Sequence, residues 1–544
     1  MSERTRHAII AALGLGAALI LLLHQQVRHL DSVPDFGDPL FSIWRVGWVN
    51  HQLVTDPRHL FDANIFYPER LTLTFSDPIV LPALTAAPAL ALGVHRVIVY
   101  NLLFLSGFWF SGIAMYLLVV RLTESPRSAF VAALVYASAL YRFDHYSHLE
   151  LQMMQWMPLA LLALHRLIGR DPGSGIRDPR DPKRWWYALA LAIALVAQLY
   201  SSMYYAAFFL VYAVVIGLGL LIAHRPPLRQ LFLPLAASGA LAALLAVPLE
   251  RAFMAAEPIK GERGLNEVAQ YSAVPSDYLR VSKVNAVWGS VLRRPRVERA
   301  LFPGLIPVAL AAAGATPPVG AIPLIYTAAL AVSFDGSLGL NGLSYPAMYR
   351  WLTPFRGLRS PARFAALVAL TLAILGGFGA RRILAWRTSR TYRDLAFATL
   401  IALVLVEAWP ALVLRPVWPE PPSIYNLMKN IPGAVLAEMP FNYTTNTQYM
   451  YFSTWHWTPM VNGNSGFIPN SYIKLERDIL LFPAAEAVDA LRRRGVTHVT
   501  VNCGLGDAGC SELMDAMQHA RRLRLVASTD WGDVPVRLYE LLAP

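Results

Sequence analysis

Apolar runs long enough to cross a membrane dominate this chain and limit what it can fold into. A transmembrane helix needs about 20 mostly apolar residues. Only 15% of the 544 residues are charged and 56% are hydrophobic, whereas a soluble protein carries about 25% charged residues. The sequence therefore predicts a mostly α-helical, polytopic membrane bundle. About eleven spans are expected, near residues 8–24, 97–120, 128–141, 152–168, 185–200, 204–223, 231–249, 302–315, 319–334, 363–380 and 394–413.

Basic residues indicate how these spans are oriented. The apolar stretch 79–93 is short and contains Pro82 and Pro88, so we expect it to lie in the interface or to re-enter. With 79–93 on the outer side, the positive-inside rule places the N-terminus in the cytoplasm and residues 25–96 outside. Most of the net charge of +12 is then explained by topology. The basic cytoplasmic loops are those near 121–127, 166–184, 225–229 and 381–393.

The chain changes character at "RPVWPEPPSIY", residues 415–425, whose prolines indicate a boundary. Residues 1–413 are expected to form the membrane domain, with the long first outer loop 25–96. Residues 414–544 are expected to form an extracytoplasmic α/β domain, because strand patterns alternate with helical ones. The strands are "GAVLAEMP", "VTHVTVNC", "RLRLVAS" and "VRLYELL", and the helices are "AAEAVDALRRRG" and "SELMDAMQHARR".

The two cysteines, Cys503 and Cys510, lie seven residues apart in this last domain. They offer too few ligands for a zinc site. A disulfide is possible in an oxidising compartment, and two free thiols are the alternative.

Two carboxylates, Asp35 and Asp38, precede an amphipathic stretch, "PLFSIWRVGWVNHQL". Its apolar residues recur at helical spacing, which predicts a helix lying in the membrane interface with Trp44 at headgroup level. One interpretation is that Asp38 only caps this helix. The other is that the carboxylates have a chemical role.

The loop "YRFDHYSHLELQ", residues 141–152, combines Asp144, His145, His148 and Glu150. Histidine and carboxylate ligands suit zinc or manganese, so His145, His148 and Glu150 are candidate metal ligands. The alternative is a polar interfacial loop without a metal.

Arg356, Arg359 and Arg363 lie in "FRGLRSPARF", at the outer end of a predicted span. The positive-inside rule does not explain basic residues there. Arginine binds phosphate in a bidentate manner, so a phosphate site is favoured over simple contact with anionic headgroups.

Two further regions leave alternatives open. The loop 250–301 is either solvated or ordered over a substrate. The tail segment with Trp455 and Asn462 either binds sugar or fills a core. The charged and aromatic residues of the loop are Glu250, Arg251, Lys260, Tyr271, Asp277, Arg293, Arg294 and Glu298, and those of the tail also include His456, Trp457 and Asn464.

The order of these motifs resembles the GT-C superfamily of membrane glycosyltransferases. In that superfamily an acidic residue opens the first outer loop before a juxtamembrane helix, as Asp38 does here, and a proline-containing helix follows, as in "SDPIVLPAL". A later outer loop carries a second acidic residue, here in 141–152. The chain has Asp38-Pro39 where many members have an acidic pair. It looks most similar to poorly characterised bacterial GT-C-like proteins that share "FYPERLTLTFSDP", "HLELQMMQWMPLALLAL", "LFPG", "LRSPARF" and "STWHWTPMVNGNSGFIP".

The resemblance implies an inverting glycosyltransferase of the bacterial inner membrane that takes a sugar from a polyprenyl-phosphate carrier. The acceptor would be an extracytoplasmic glycan, lipid or protein of the cell envelope, and no nucleic acid is implied. A divalent metal is a possible cofactor. The alternatives are a transporter or flippase of lipid-linked sugar, which should carry charge within its spans, and a non-catalytic membrane scaffold. The candidate catalytic residues are Asp38, Asp35 and Glu150, and the candidate substrate-binding residues are Arg356, Arg359, Arg363, Trp44 and His148.

Overall fold

The computed structural model describes residues 2–169, 183–293, 296–505 and 510–542. In chain order its α-helices are Glu3–Leu22 (α1), His24–Arg28 (α2), Asp38–Thr55 (α3), Val80–Ala91 (α4), Arg96–Thr123 (α5), Pro126–Ala137 (α6), Leu140–Asp144 (α7), Trp156–Ile168 (α8), Lys183–Ser201 (α9), Met203–His224 (α10), Leu228–Lys260 (α11), Leu265–Gln270 (α12), Leu305–Ala315 (α13), Ala321–Ser337 (α14), Tyr345–Trp351 (α15), Thr353–Arg356 (α16), Ala365–Ala385 (α17), Arg390–Glu407 (α18), Ile424–Met428 (α19), Asn446–Ser453 (α20), Asn470–Asp478 (α21), Ala485–Arg493 (α22) and Cys510–Gln518 (α23). Its strands are Ser32–Val33 (β1), Arg415–Pro416 (β2), Leu436–Met439 (β3), His498–Asn502 (β4), Leu523–Trp531 (β5) and Val534–Leu541 (β6).

Each of the eleven predicted spans corresponds to a helix, so the prediction of a mostly α-helical chain is confirmed. Within the described ranges, five helical segments are long and apolar enough to cross a membrane: Glu3–Leu22, Arg96–Thr123, Met203–His224, Leu228–Lys260 and Pro361–Ala385. Three apolar helices are shorter: Val80–Ala91, Leu305–Ala315 and Ala321–Ser337. The chain is therefore a polytopic helical membrane protein.

The chain forms two compact units. Unit 1 contains residues 1–29, 102–248 and 262–413. Unit 2 contains residues 30–101, 249–261 and 414–544. The sequence predicts a boundary at 413/414, and the units also divide there. Most of the first outer loop, which was assigned to the membrane domain, instead groups with the C-terminal region.

Unit 1 is organised around α17, whose residues are almost all buried. This helix packs against α13, α6 and α14. Gly314 of α13 and Gly379 of α17 face each other so closely that a Cβ at either would collide with backbone of the opposite helix. Small residues of this kind let two helix backbones approach closely in membrane proteins. Large apolar side chains of α10 and α11 remain exposed, including Ile222 and Phe232, as expected of a lipid-facing surface.

The C-terminal part of unit 2 is the predicted α/β fold. Its sheet has the strand order β3-β4-β6-β5. Strands β3 and β4 are parallel, and β6 is antiparallel to both β4 and β5. All four predicted strands and both predicted helices, α22 and α23, are present. Gly495, which follows the C-cap of α22, has φ of 90°, a conformation that glycine adopts without strain.

Residues of the first outer loop and the C-terminal region share one core within unit 2. Asn64 donates side-chain hydrogen bonds to Ser453 Oγ and the Thr458 carbonyl, each at 3.2 Å. The ring of His51 stacks on Trp457 at a centroid distance of 4.9 Å. Strand β1 pairs with β2. These contacts explain why a loop near the N-terminus groups with a region almost 400 residues later.

The cysteine pair, left open by the sequence, forms a disulfide in the structure. The Cα atoms of Cys503 and Cys510 are 5.4 Å apart. The bridge joins the end of β4 to the start of α23. Disulfides persist in oxidising compartments, so the bridge agrees with the expected extracytoplasmic position of this region.

Candidate functional site

Asp35 and Asp38 stand at the start of α3 in unit 2, and both are half-buried. Asp35 Oδ1 accepts the Gly37 N–H at 2.8 Å, which shapes the turn before the helix. Gly37 is the N-cap and Asp38 is the first helical residue. The interpretation of Asp38 as the cap is therefore wrong, because the turn formed by Asp35 starts the helix one residue earlier. A carboxylate in the first turn is still stabilised by the helix dipole.

The structure corrects the expected environment of Trp44. Helix α3 is buried on most of its faces inside unit 2 instead of lying in a membrane interface. Trp44 is 1% exposed and donates its indole N–H to Asn64 Oδ1 at 3.0 Å. Arg45 is equally buried and donates to the Asp77 carbonyl at 2.6 Å. Residues of the C-terminal region pack over the helix. The hydrophobic pattern of the helix itself does not show that a distant part of the chain will bury it.

In unit 1, the loop after α7 is held by a buried pair. The Arg142 side chain donates to the Gln152 side-chain and backbone oxygens at 3.1 and 2.9 Å. Gln152 in turn donates to the carbonyls of Arg142 and His145. The two ends of the loop are thus tied together, and the ties fix the backbone that carries Asp144, His148 and Glu150.

A second loop brings Glu298 to Arg363, which lies near the start of the apolar segment Pro361–Ala385. Arg363 Nε and Nη2 donate to the two oxygens of Glu298 at 2.7 and 2.5 Å. Ser360 Oγ donates to the same carboxylate at 3.0 Å. The Arg363 and Glu298 side chains are 5% and 8% exposed, so this is a buried, bidentate ion pair.

Burial and this ion pair set the protonation of the neighbouring groups. Burial would raise the pKa of Glu298, but the charge and hydrogen bonds of Arg363 lower that pKa well below its usual range. Burial raises the pKa of Asp144 to about 7, against a hydrogen bond from the Ala300 N–H. Burial lowers the pKa of His145 to about 3. Asp144 is thus a carboxyl that exchanges its proton near neutral pH, which suits acid–base work.

The expected metal ligands are not arranged as a metal site. His145 and His148 meet edge to face, with ring centroids 5.6 Å apart, and Glu150 is buried. Across the described residues, no group of three or more histidine, cysteine, aspartate or glutamate side chains is placed to hold a metal ion. The spacing of His145, His148 and Glu150 along the chain does not become a convergent ligand set, because the loop is folded around Arg142 and Gln152.

The three candidate phosphate-binding arginines have different surroundings. Arg363 is fully engaged by Glu298. Arg356 donates to Glu262 at 3.1 Å and to two backbone carbonyls. Arg359 is 30% exposed, and its nearest carboxylate oxygen, on Glu267, is 3.9 Å away. Its guanidinium lies 5.4 Å from the ring centroid of Tyr271. Arg359 is therefore the member of the cluster with the weakest ion pair, although the Arg356 side chain is more exposed, at 40%.

Other sequence candidates have structural roles. Asn462 is fully buried: its side-chain oxygen accepts the Glu438 N–H, and its side-chain nitrogen donates to the Glu438 carbonyl. The His456 ring is buried against Tyr425. The tail segment thus fills a core. In the loop 250–301, Asp277 and Glu298 are buried instead of solvated, and Arg294 lies outside the described residues.

Glu407, near the end of a predicted span, caps another helix. Its carboxylate accepts the backbone N–H groups of Leu305 and Ile306 at 2.6 and 3.0 Å, and the indole N–H of Trp288 at 3.1 Å. Gly304, before α13, has φ of 96°, and a Cβ there would collide with the carboxylate. Glu407 therefore stabilises the N-terminus of α13. Glu250 is exposed.

Sequence reasoning missed Glu298 and Ser360 as partners of Arg363. Glu298 was one charge among several in a long loop, and 65 residues separate it from Arg363. No local spacing signals a pair at that separation. The buried character of the loop has one local clue, the apolar "LFPG" at 301–304 that ends it.

The similarity to solved structures extends over most of this chain. The chain is similar to the archaeal oligosaccharyltransferase AglB from Archaeoglobus fulgidus, solved with an inhibitory peptide and a dolichol-phosphate. The TM-score is 0.46 at 13% identity, covering 92% of this chain and 69% of that one. The same enzyme solved with Zn and sulfate has a TM-score of 0.46 at 12% identity, covering 91% and 68%.

The chain is also similar to ArnT from Cupriavidus metallidurans in the apo state, with a TM-score of 0.49 at 12% identity, covering 99% of this chain and 98% of that one. No protein-family model and no curated protein matches the chain.

Proposed function

We propose that this protein is a membrane glycosyltransferase that moves a sugar from a polyprenyl-phosphate carrier to an extracytoplasmic acceptor. The observation that carries the proposal is the position of the buried ionisable side chains of unit 1. In the described part of that unit they lie in loops or near helix ends: Arg142, His145, Glu150, His165, Arg184, Asp277, Arg363 and Glu407. Chemistry on a lipid-borne substrate at the membrane surface needs charge there.

The transporter alternative is less well supported by the same positions. Transport of a charged lipid headgroup calls for ionisable residues along the middle of the spans. Glu407, a buried carboxylate near the end of a predicted span, is used as a helix cap. The scaffold alternative leaves unexplained the cluster of ionisable groups around the buried Glu298–Arg363 pair, with Asp144 and His145 close to it.

The proposed reaction is an inverting displacement. The acceptor hydroxyl attacks the anomeric carbon, its oxygen forms the new glycosidic bond, and the lipid phosphate leaves from the opposite face. The hydroxyl proton must go to a base, and Asp38 is our first choice, with Asp35 second. The negative charge that develops on the leaving phosphate needs cations, and Arg359, Arg356 and Arg363 are the candidates.

The remaining candidates have narrower proposed roles. Trp44 shapes the segment behind Asp38 through its bond to Asn64 instead of contacting the sugar. Glu150 and His148 are proposed to bind donor or acceptor in unit 1. No step is assigned to a divalent metal, because within the described ranges the side chains do not form a ligand set for one.

Arg359→Ala is expected to weaken use of the lipid donor. Its guanidinium is half-buried and weakly paired, so its loss removes a cation without leaving a buried carboxylate unpaired. The KM for the donor should rise by roughly tenfold, which corresponds to about 1.4 kcal/mol, and Lys should restore only part of it, because it lacks the planar fork. Steady-state kinetics against donor concentration provide the measurement. Arg381→Ala, which removes an exposed arginine of helix α17, is the control, and equal effects of both variants would reduce Arg359 to a general headgroup contact.

The proposed topology places the N-terminus in the cytoplasm and unit 2 outside. Arg58 lies in the exposed turn after α3 and is therefore a suitable labelling position in the first outer loop. Asn64, in the same loop, is buried and is not suitable. An impermeant maleimide should label Arg58→Cys in intact cells, and it should label Cys510 only after reduction of the disulfide. Labelling of Arg58→Cys only after the inner membrane is opened would contradict the topology.

A further inference from the structure

The ion pair between Glu298 and Arg363 occupies the arginine most deeply placed in the candidate phosphate cluster. Glu298 uses both of its oxygens on Nε and Nη2 of the guanidinium. This planar, two-point geometry is the one by which arginine also binds phosphate. An anion from a substrate can therefore reach these two donors only if Glu298 leaves them.

The backbone at Glu298 is strained. Its φ is 62°, a left-handed conformation that costs a non-glycine residue energy and tends to persist at functional sites. Its chain neighbours Arg296 and Val297 are exposed. The following residues are anchored: Arg299 Nη1 donates to the Ser272 carbonyl at 2.8 Å and the Leu301 N–H to the Asp277 carbonyl at 3.2 Å. Glu298 is thus carried by an exposed turn next to a fixed segment.

Asp277 in the same loop provides a contrast. Its side chain is fully buried and pairs with Arg280 at 2.8 Å and Arg299 at 3.6 Å. It also accepts the Val274 N–H at 3.0 Å. These partners all belong to its own loop, so Asp277 holds the loop together. Of these two carboxylates, only Glu298 pairs with an arginine outside the loop 250–301, namely Arg363.

We propose that Glu298 is an internal competitor for the anion site of Arg363: it holds the guanidinium when no donor is bound and is displaced by the phosphate of the lipid donor. The identity of the anion rests on the proposed function. In both states Arg363 is paired with an anion, so no uncompensated charge is left buried. Displacement moves Glu298 with the exposed turn that carries it, and Ser360 is left to donate to the incoming phosphate.

The first test is binding of polyprenyl phosphate to the full-length protein in nanodiscs. Glu298→Gln keeps the shape of the side chain but cannot neutralise Arg363. A site that is open a tenth of the time binds about tenfold more weakly than one always open, so this variant should bind polyprenyl phosphate about tenfold more tightly than the wild type. Asp277→Asn is the matched control and should bind as the wild type does. Arg363→Gln should abolish the gain in the Glu298→Gln background.

Two further arms identify the anion. Polyprenol, which lacks the phosphate, should show no gain in Glu298→Gln. Inorganic phosphate should compete in this variant at lower concentration than in the wild type if the phosphate alone is recognised. Unchanged or weaker binding of polyprenyl phosphate in a folded Glu298→Gln protein would overturn the proposal.

A second measurement uses the wild type and so does not depend on the stability of a variant. Amide hydrogen exchange in residues 296–301 should rise when polyprenyl phosphate is added, because the turn that carries Glu298 is released. No rise at saturating lipid would contradict displacement. If the protein transfers sugar but Glu298→Gln does not bind polyprenyl phosphate more tightly, the role of Glu298 as a competitor is refuted and the proposed function stands. If Glu298→Gln binds more tightly but the protein transfers sugar from no donor, the competitor role stands and the proposed function is refuted.

Discussion

Asp38→Asn is expected to lower the rate of sugar transfer by roughly 10²- to 10⁴-fold, the usual contribution of a general base. The amide keeps the size of the side chain but does not take up the proton of the acceptor hydroxyl. Folding should change little, because Gly37 and not Asp38 is the N-cap of α3. Loss of the first-turn charge costs about 0.3–1 kcal/mol through the helix dipole. The measurements are the turnover rate and the melting temperature of the purified variant.

Asp35→Asn is the matched control for this prediction. The carboxylate of Asp35 accepts the Gly37 N–H, and the amide oxygen of asparagine can accept the same bond. We therefore expect little change in either melting temperature or turnover. An Asp38→Asn enzyme with full activity would remove Asp38 from the chemistry, and an inactive Asp35→Asn enzyme would assign the base to Asp35.

Glu407→Ala is expected to cause a large loss of stability. It leaves three donors, the N–H groups of Leu305, Ile306 and the Trp288 indole, without their acceptor. A buried donor without a partner costs about 1–3 kcal/mol, and these three hydrogen bonds are only part-buried, so the low end of that range applies to each donor and the total should be roughly 3 kcal/mol. Glu407→Gln keeps an acceptor oxygen and should lose less.

Thermal unfolding in detergent measures this effect, and Glu250→Ala, at an exposed position of α11, is the control that should unfold like the wild type. The transporter alternative makes a different prediction for Glu407. If this carboxylate served transport, Glu407→Gln would keep its melting temperature and lose lipid movement. That outcome would contradict its assignment as a helix cap.

The sequence predicts elements better than it predicts their partners. The eleven apolar segments are recognisable because a chain in lipid must satisfy its backbone within each helix, so each helix is encoded locally. The strands of the tail show the same local encoding, since the apolar Val499 and Val501 alternate with polar residues along β4. Both signals are properties of a few consecutive residues.

The misplaced features depend on residues far apart in the chain. Helix α3 has an amphipathic pattern that fits an interface as well as a core, and Trp457, which contacts it, is about 400 residues away. The pairing of Glu298 with Arg363 and of Glu407 with the start of α13 likewise crosses 65 and about 100 residues. The sequence alone leaves the loop that carries Glu298 either solvated or ordered over a substrate, and it gives no sign of these partners.

The central claim is that the sugar leaves its lipid carrier. The direct measurement reconstitutes the protein in proteoliposomes with a panel of radiolabelled polyprenyl-phosphate sugars and a cell-envelope acceptor extract. It follows both the label and the lipid. The account predicts that one donor loses its sugar to the acceptor and yields free polyprenyl phosphate, and that Asp38→Asn stops both. Labelled sugar that crosses the membrane still attached to its lipid, with no free polyprenyl phosphate formed, would contradict the account.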